Sequence, residues 1–316
     1  MPRALAVDVG GSKLAAAVVE LPGAGGVPVL THRRTVPTPA DEGGPAVLAA
    51  ATALARQVLA DAAQDPPGAR VEAVGVASAG TVRPADGAIT HATGTLPGWA
   101  GTPLGDHLRR ELGLPVLVLN DVHAHGVGEA LDGAGRGHRS VLVVAVGTGV
   151  GGALVVDGEP AVGAHGVAGH VGHLPVPEAA GVPCTCGREG HLEGFASGHG
   201  LRTAFRDRTG RDLPAREVAA LAAAGDGTAR TLLAEAGRAT GRTVGALLNV
   251  LDPDVVVVGG GLAAAPEPWP SELREGVALE AMDPVAATPV LLSGAGADAA
   301  LTGAARVALA RAHDIP

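Results

Sequence analysis

Short apolar runs alternate with longer Ala- and Leu-rich stretches along this chain, and that alternation predicts an α/β protein. The apolar runs have the length of strands, and the Ala- and Leu-rich stretches have helical length without an internal breaker. Strands are expected near residues 7–9, 14–19, 27–30, 71–77, 116–119, 141–146, 153–156, 255–258 and 290–292. Helices are expected at 45–62, after Asp121, and at 216–224, 228–250 and 299–312.

Two regions between these elements are predicted to be loops, because Gly, Pro and polar residues replace the apolar pattern there. One spans residues 80–105 and the other 158–200, and the second also concentrates histidines. On the predicted helix 228–250, glycines recur every four residues, at Gly237, Gly241 and Gly245. Residues four apart share one face of a helix, so this stripe predicts a face packed closely against a neighbouring element.

The length of 316 residues corresponds to about two domains. With 47% hydrophobic and 17% charged residues, the chain can bury a large core, which excludes a disordered protein. The net charge of −9 argues against nucleic acid or an anionic membrane surface as the main partner. Aromatic residues make up only 1% of the chain, which excludes an aromatic stacking platform for single strands or sugar rings.

No apolar run approaches the ~20 residues that cross a bilayer, so no membrane segment is expected. The apolar run at residues 4–7 is too short, and too soon followed by the charged Asp8, for a signal peptide. The two cysteines, Cys184 and Cys186, cannot make a disulfide framework and are too close in sequence to bridge easily. A reducing, cytoplasmic setting is therefore expected.

The first predicted strand ends in a Gly-rich motif, the sequence DVGGSK at residues 8–13. Backbone N–H groups at Gly10 and Gly11 can approach phosphate oxygens, and Ser12 adds a hydroxyl donor. Asp8 can hold Mg²⁺ through water, and Lys13 completes the candidate nucleotide-binding set. The alternative is a hairpin turn in which the two glycines supply positive φ.

A second Gly-rich motif, GTGVGG at residues 147–152, has the spacing GxGxxG. The dinucleotide-binding form of that motif opens a helix, whereas a strand is predicted directly after this one. We therefore expect a hairpin whose tip wraps a phosphate, with Gly147, Thr148, Gly149 and Gly151 as candidate contacts. A third motif follows the predicted strand 255–258, where Gly260 and Gly261 would let an adenine lie against bare backbone. Its alternative is a plain strand-to-helix turn.

Asn120 and Asp121 stand at the end of a predicted buried strand, directly before a predicted helix. Asn and Asp are favoured at such junctions because their side chains accept hydrogen bonds from the free N–H groups of the helix start. A carboxylate at a strand end can also accept a proton from a hydroxyl group that attacks a phosphate.

Four side chains between residues 173 and 191 form a candidate metal site: His173, Cys184, Cys186 and His191. Two thiolates and two imidazoles suit tetrahedral Zn²⁺, and Gly187 and Gly190 allow the loop between them to curl. A set of four protein ligands is typical of a structural rather than a catalytic zinc ion.

The two Gly-rich hairpins, about 140 residues apart, and the late strand followed by glycines resemble the sugar kinases of the ROK family (repressors, open reading frames, kinases). The resemblance extends from Asp8 to the C-terminal helix. It implies the actin/hexokinase/heat-shock-ATPase-like fold, in which two ribonuclease-H-like domains enclose an ATP- and sugar-binding cleft. The expected domains are residues 1–121, with the helix 298–316 packed back on them, and residues 122–297, which carry the zinc loop.

The same resemblance implies roles for individual residues. Asp121 would be the catalytic base, and Asn120 and Gly80 would contact the sugar. Glu193 matches a family glutamate that holds the sugar near C1 and C2. Thr95 stands where the family usually has Asn.

The family's zinc motif, Cys-x-Cys-Gly-x-x-Gly-Cys, appears here as CTCGREGH at residues 184–191, so His191 replaces the last Cys. The preceding family motif Gly-Glu-x-Gly-His appears as GHVGH at residues 169–173, so His170 replaces a sugar-binding Glu. In this reading His173 binds zinc with one nitrogen and presents the other to the sugar.

These residues are similar to bacterial N-acetylmannosamine kinases, and we expect ATP-dependent phosphorylation of N-acetylmannosamine at its C6 hydroxyl. Glucose and N-acetylglucosamine are the alternative substrates. A sugar-responsive regulator of the same family would carry a helix-turn-helix ahead of the first Gly-rich motif, which here begins at residue 8. The expected cofactors are ATP, Mg²⁺ and a structural Zn²⁺, and the expected assembly is a homodimer or homotetramer.

Overall fold

The computed structural model of the protein describes residues 1–23, 26–66, 69–94 and 96–312. Each predicted strand has a counterpart within these residues, and the predicted turn at Gly10-Gly11 joins the first two. The strands are β1 (Arg3–Val9), β2 (Lys13–Glu20), β3 (Val29–Pro37), β4 (Ala73–Ser78), β5 (Thr81–Val82), β6 (Ile89–His91), β7 (Val116–Asn120), β8 (Ser140–Val146), β9 (Val150–Val156), β10 (Glu159–Pro160), β11 (Val255–Gly259) and β12 (Val290–Leu292).

The predicted helices are also present, together with some that the sequence pattern did not indicate. The helices are α1 (Gly44–Ala62), α2 (Leu104–Leu112), α3 (Asp121–Asp132), α4 (Leu192–Ala196), α5 (Gly198–Thr209), α6 (Ala215–Ala223), α7 (Gly227–Leu251), α8 (Trp269–Glu280) and α9 (Ala299–Ala310). No helix of the described residues combines the length and the apolar character needed to span a bilayer.

The chain folds into two compact units. The first unit contains the described residues of Met1–Gly137, Ala153–Ala168 and the described residues from Gly294 onward. The second unit contains His138–Gly152 and Gly169–Ser293. Helix α3 packs against α9 in the first unit. This division into units therefore differs from the expected domain boundary at residue 121.

The first unit is built on a five-stranded sheet of order β3-β2-β1-β4-β7. Strand β1 runs antiparallel to β2 and parallel to β4, and β4 runs parallel to β7. The carboxyl ends of β1, β4 and β7 therefore meet at one edge, where Val9 pairs with Ser78 and Ser78 pairs with Asn120. This edge brings Asp8 and Asp121 into one neighbourhood.

The two faces of this sheet are covered differently because side chains alternate along each strand. In β1, Leu5, Val7 and Val9 join a core that includes α1 and the buried Trp99. On the other face, Ala4 and Ala6 pack with residues of α9. Small side chains on that face allow α9 to approach the sheet closely.

The second unit contains the parallel strands β8, β11 and β12, with β8 paired to β11 and β11 paired to β12. Its core includes Phe205 and the fully buried Trp269. The long helix α7 packs mainly against α8, and their contact confirms the expectation from the glycine stripe. A Cβ atom at Gly237, Gly241 or Gly245 would lie 2.5, 2.1 or 2.6 Å from a backbone oxygen of α8.

Three parts of the structure differ in extent from the predicted elements. Strand β3 begins at Val29, two residues later than expected, and continues to Pro37 as an edge strand through polar residues. The predicted loop 80–105 contains the very short β5 and β6 and the start of α2, a helix that is mostly polar. Strand β9 starts at Val150, so Gly151 and Gly152 belong to the strand rather than to the loop before it.

Glu129 is a fully buried carboxylate on α3 that ties together two segments of the first unit. Its oxygens accept N–H groups of Ala134 at 3.1 Å, Gly294 at 3.0 Å and Ala295 at 3.0 Å. These donors lie close to the points where the chain leaves the first unit after residue 137 and returns to it at residue 294. Hydrogen bonds from three N–H groups offset the cost of burying this group.

The substitution Gly241→Ala should destabilise the protein, because the new methyl group would lie 2.1 Å from the Leu273 carbonyl oxygen, which belongs to the backbone. Overpacking of this kind costs about 1–3 kcal/mol, which should outweigh the helix propensity of Ala of about 1 kcal/mol. The free energy of unfolding, measured by denaturant titration with circular dichroism, checks this.

Gly227→Ala at the start of the same helix is the matched control, since a Cβ there meets nothing within 4 Å. We expect no loss of stability in the control. An equal loss in both variants would contradict the close packing of α7 against α8.

Candidate active site

Asn120 and Asp121 lie where β7 ends and α3 begins, in the first unit. The Asn120 side chain accepts the N–H groups of Val122 at 3.0 Å and His123 at 3.3 Å, so it caps the helix. Its amide nitrogen donates to the Gly80 carbonyl at 3.0 Å and to Asp121 Oδ1 at 2.8 Å. Asn120 therefore has the helix-capping role that its position predicted, and the same side chain also orients the Asp121 carboxylate.

Two hydrogen bonds from neighbouring residues reach the Asp121 carboxylate on one oxygen. Oδ1 accepts the Val122 N–H at 2.9 Å as well as the Asn120 amide, which leaves Oδ2 for a further donor. Burial raises the pKa of Asp121 to about 6, and the negative charge of Asp8 adds to this. A carboxylate with this pKa is ionised at neutral pH but is a stronger base than an ordinary Asp.

Asp8 is the second carboxylate of this edge. Burial raises the pKa of Asp8 to about 6, while the positive charge of Lys13 opposes the shift and the charge of Asp298 adds to it. A bound cation would offset the cost of keeping Asp8 ionised, so the site suits the expected Mg²⁺.

The turn between β1 and β2 has the predicted hairpin form. The Gly10 N–H donates to the Lys13 carbonyl at 3.1 Å, and the Thr38 hydroxyl donates to the Gly10 carbonyl at 2.7 Å. The positive φ angles of the described residues do not include Gly10 or Gly11, so positive φ is not the reason for these glycines. A Cβ at Gly10 would lie 3.1 Å from the Lys13 carbonyl oxygen. Ser12 and Lys13 are exposed and accessible to a ligand.

The hairpin at residues 147–152 lies in the second unit and is held by the start of α5. The Gly147 N–H donates to the Gly149 carbonyl at 2.9 Å and closes a tight turn. Gly147 and Thr148 accept the N–H groups of Gly198 at 2.8 Å and His199 at 3.1 Å through their carbonyls. A tight turn held by hydrogen bonds at its tip is compatible with the expected phosphate-binding loop.

The third Gly-rich motif follows β11 in the same unit. Gly260 has φ +87° and a Cβ there would lie 2.4 Å from the Val146 carbonyl oxygen, so the backbone itself requires glycine. Gly261 starts a short 3₁₀ turn, and a Cβ at that position would meet nothing within 4 Å. The open backbone at Gly261 is accessible to a flat group.

The four candidate zinc ligands come together in the second unit. One ligand atom from each residue of the set lies within 4.8 Å of every other; the set is His173, Cys184, Cys186 and His191. The Cys184 sulfur is 3.7 Å from His173 Nδ1, and the Cys186 sulfur is 3.3 Å from His191 Nδ1. Burial raises the pKa of the Cys184 thiol, with Cys186 and Glu193 adding to the shift, so a cation would favour the thiolate there. The donor set fits Zn²⁺.

His170 and His173 bracket a short 3₁₀ turn, with their ring centroids 6.3 Å apart and the ring planes inclined by 27°. His173 also lies edge-on to His191, at 5.6 Å between centroids. The His173 ring therefore lies next to His170, the other histidine predicted to bind the sugar, and next to the candidate zinc ligand His191.

Glu193, in α4, makes contacts that the sequence did not indicate. Its Oε2 accepts the Val150 N–H at 2.9 Å, and its Oε1 accepts the hydroxyl of Thr185. Thr185 is a residue that the sequence analysis missed, and no spacing signal could have found it, because the pairing arises only when the loop folds onto α4.

Two other features of the site depend on tertiary packing. The buried Trp99 indole N–H lies within hydrogen-bond distance of Ser78 Oγ at 3.3 Å and the Ala79 carbonyl at 3.2 Å, which supports the β4 end next to Asn120. Gly80 has φ +94° and holds Asn120 through its carbonyl. Thr95, the predicted departure from the family's sugar contact, lies outside the described residues.

Comparison of the sequence with known proteins finds one matching family and related enzymes. Residues 4–311 match the sequence profile of the ROK family. A glucokinase from Halalkalibacterium halodurans is 35% identical over 206 residues, which span 61% of this chain and 62% of that enzyme. An N-acetylmannosamine kinase from Escherichia coli is 34% identical over 264 residues, which span 83% of this chain and 84% of that enzyme.

Solved structures of ROK proteins also superpose on this chain. The crystal structure of a ROK hexokinase from Thermus thermophilus superposes with a TM-score of 0.86 at 34% identity and covers 99% of each chain. A ROK family glucokinase from Streptomyces griseus, in complex with glucose and AMPPNP, gives a TM-score of 0.78 at 29% identity over 97% of this chain and 99% of that one. The expected α/β, actin/hexokinase-like fold is confirmed.

Proposed function

This chain belongs to the ROK family and is an ATP-dependent sugar kinase, and we propose that it transfers the γ-phosphoryl group of ATP to the C6 hydroxyl of N-acetylmannosamine. The observation that carries the reaction is the Asp121 carboxylate, fixed through Oδ1 and with a pKa of about 6. The choice of sugar rests on His170 in the GHVGH motif and on the similarity to the Escherichia coli kinase. Glucose and N-acetylglucosamine are the alternatives.

In this mechanism Oδ2 of Asp121 accepts the proton of the C6 hydroxyl as that oxygen attacks the γ-phosphorus. The new bond joins the sugar oxygen to phosphorus, and the bond from phosphorus to the bridging oxygen of the β-phosphate breaks, so ADP leaves. Asp8 would hold Mg²⁺ through water, and the bound ion would supply positive charge to neutralise the phosphates. Asn120 keeps the base in one orientation, which favours proton transfer.

The nucleotide would be held by backbone rather than by many charged side chains. The accessible turn with Gly11, Ser12 and Lys13 and the pinned hairpin with Gly147, Thr148 and Gly149 supply N–H and hydroxyl donors for phosphate oxygens. The open backbone at Gly261 would accept the adenine. The AMPPNP bound by the Streptomyces griseus enzyme supports a nucleotide of this type.

The sugar would be held by Asn120, Gly80, His170, His173 and Glu193. A neutral histidine presents one donor and one acceptor, whereas the glutamate that His170 replaces only accepts. This difference supports a sugar other than glucose. The oligomeric state and the cytoplasmic location stay predictions.

A structural Zn²⁺ at His173, Cys184, Cys186 and His191 completes the proposal, supported by the close grouping of two thiols and two imidazoles. Such a donor set suits a tetrahedral Zn²⁺ ion. The cation would fix the loop and the ring orientation of His173, so that its other nitrogen is available to a sugar hydroxyl.

The substrate assignment predicts that kcat/KM with ATP and Mg²⁺ is highest for N-acetylmannosamine in a panel of hexoses and 2-acetamido hexoses. A coupled assay for ADP release measures it. A kcat/KM for glucose that exceeds the value for N-acetylmannosamine tenfold would overturn the substrate and keep the kinase. No turnover of any sugar would favour a sugar-binding regulator instead.

Asp121→Asn should lower kcat at least ~100-fold while sugar binding persists, because the amide cannot accept the hydroxyl proton. In the unmodified enzyme, kcat/KM should fall as the pH drops through about 6, since both Asp121 and Asp8 become protonated there. Steady-state kinetics and a pH profile check both readouts. Asp207→Asn, on an exposed position of α5, is the control and should leave kcat unchanged. Near-normal turnover of Asp121→Asn would contradict the mechanism.

Elemental analysis of the purified protein should find one zinc per chain, and Cys184→Ser should lose most of it, because a hydroxyl is a poor replacement for a thiolate ligand. The exposed His165→Ala, outside the cluster, should keep the metal. Carefully purified protein without zinc would contradict the site.

A further inference from the structure

The Glu193 carboxylate divides its two oxygens between two different segments of the second unit. Oε1 accepts the hydroxyl of Thr185, which stands between the candidate zinc ligands Cys184 and Cys186. Oε2 accepts the N–H of Val150 at 2.9 Å, the first residue of β9 directly after the hairpin tip. One carboxylate therefore joins the Cys-x-Cys loop to the hairpin that the proposed function assigns to ATP phosphates.

The hairpin is shaped to receive this carboxylate. A Cβ atom at Gly149 would lie 2.5 Å from Glu193 Oε2, so a side chain at that position would displace the carboxylate. The Gly149 carbonyl closes the tip by accepting the Gly147 N–H at 2.9 Å. The residue that makes room for Glu193 is thus part of the turn itself.

Besides these two hydrogen bonds, the Cys184 sulfur lies 4.0 Å from Glu193 Oε1. A thiol is a weak donor, so the Thr185 hydroxyl is the stronger partner of that oxygen and restricts the rotatable bonds of the side chain. A hydrogen bond to an ionised carboxylate is stronger than a bond between neutral groups, so loss of either partner should change its orientation. Each carboxylate oxygen has a second acceptor position, so these contacts are compatible with a sugar hydroxyl at the same group.

We propose that Thr185 is a positioning residue, whose hydroxyl orients Glu193 so that Oε2 caps the Val150 N–H and keeps the 147–152 hairpin in its phosphate-binding shape. The conformation of the Cys-x-Cys loop thereby affects the affinity for the nucleotide through Glu193, without a phosphate contact from the loop itself. The inference rests on the proposed function in one respect, that the hairpin binds ATP.

Thr185→Val tests this, because valine keeps the shape of threonine and removes only the hydroxyl. In the full-length variant we expect faster amide hydrogen exchange at Val150, measured without ligand, and a roughly fivefold or greater rise in the Kd of Mg-AMPPNP, the order expected for a lost charge-assisted hydrogen bond. Thr185→Ser keeps the hydroxyl and should restore both values. Thr231→Val, which removes an exposed hydroxyl from α7, is the matched control and should change neither.

Zinc content is measured in every variant, because Thr185 lies between two candidate ligands. Weaker nucleotide binding with unchanged zinc content and restoration by Thr185→Ser supports the inference. Unchanged exchange at Val150, or equal losses in Thr185→Val and Thr185→Ser, would overturn it. If Thr185→Val does not fold, Gly149→Ala displaces the same carboxylate and should raise exchange at Val150 in the same way, and normal exchange there would overturn the inference.

The exchange measurement needs neither a sugar nor turnover, so it separates this inference from the proposed function. Faster exchange at Val150 in an enzyme that phosphorylates no hexose would reject the function and keep the coupling. Normal exchange at Val150 in an active kinase would reject the coupling and keep the proposed function.

Discussion

A single amide side chain, that of Asn120, holds the start of α3 and the carboxylate of Asp121 in one hydrogen-bonded arrangement. Its position depends on the register of three parallel strand ends, which place Ser78 beside Asn120 and bring Asp8 near enough to affect Asp121. Burial and that second negative charge together produce a carboxylate whose pKa lies close to neutrality. The chemistry of the site therefore follows from sheet geometry before any ligand is present.

Asp121 and Glu193 show two ways of using a carboxylate. Asp121 concentrates its protein contacts on one oxygen and leaves the other for a reacting proton. Glu193 divides its protein contacts between its two oxygens, so it joins two loops. The first arrangement suits a base, and the second suits a group whose orientation matters more than its basicity.

Continuous apolar runs and Gly-rich motifs made most of the fold predictable, because both patterns are local. The stripe at Gly237, Gly241 and Gly245 indicated close packing, yet nothing in the sequence identified α8 as the partner. Helix α8 itself was missed because prolines flank its beginning, and α2 was missed because it is short and polar. For the site, the sequence located the individual groups, whereas the contact between Thr185 and Glu193 required the folded chain.

The buried indoles have a practical consequence. The chain has two tryptophans and no tyrosine, and each compact unit contains one of them, Trp99 in the first and Trp269 in the second. Both are fully buried, so each emission maximum should shift to longer wavelength only when its own unit opens to water. Replacing either indole by Phe would leave a single intrinsic fluorophore, and the unfolding of the two halves of this molecule could then be followed separately without any attached dye.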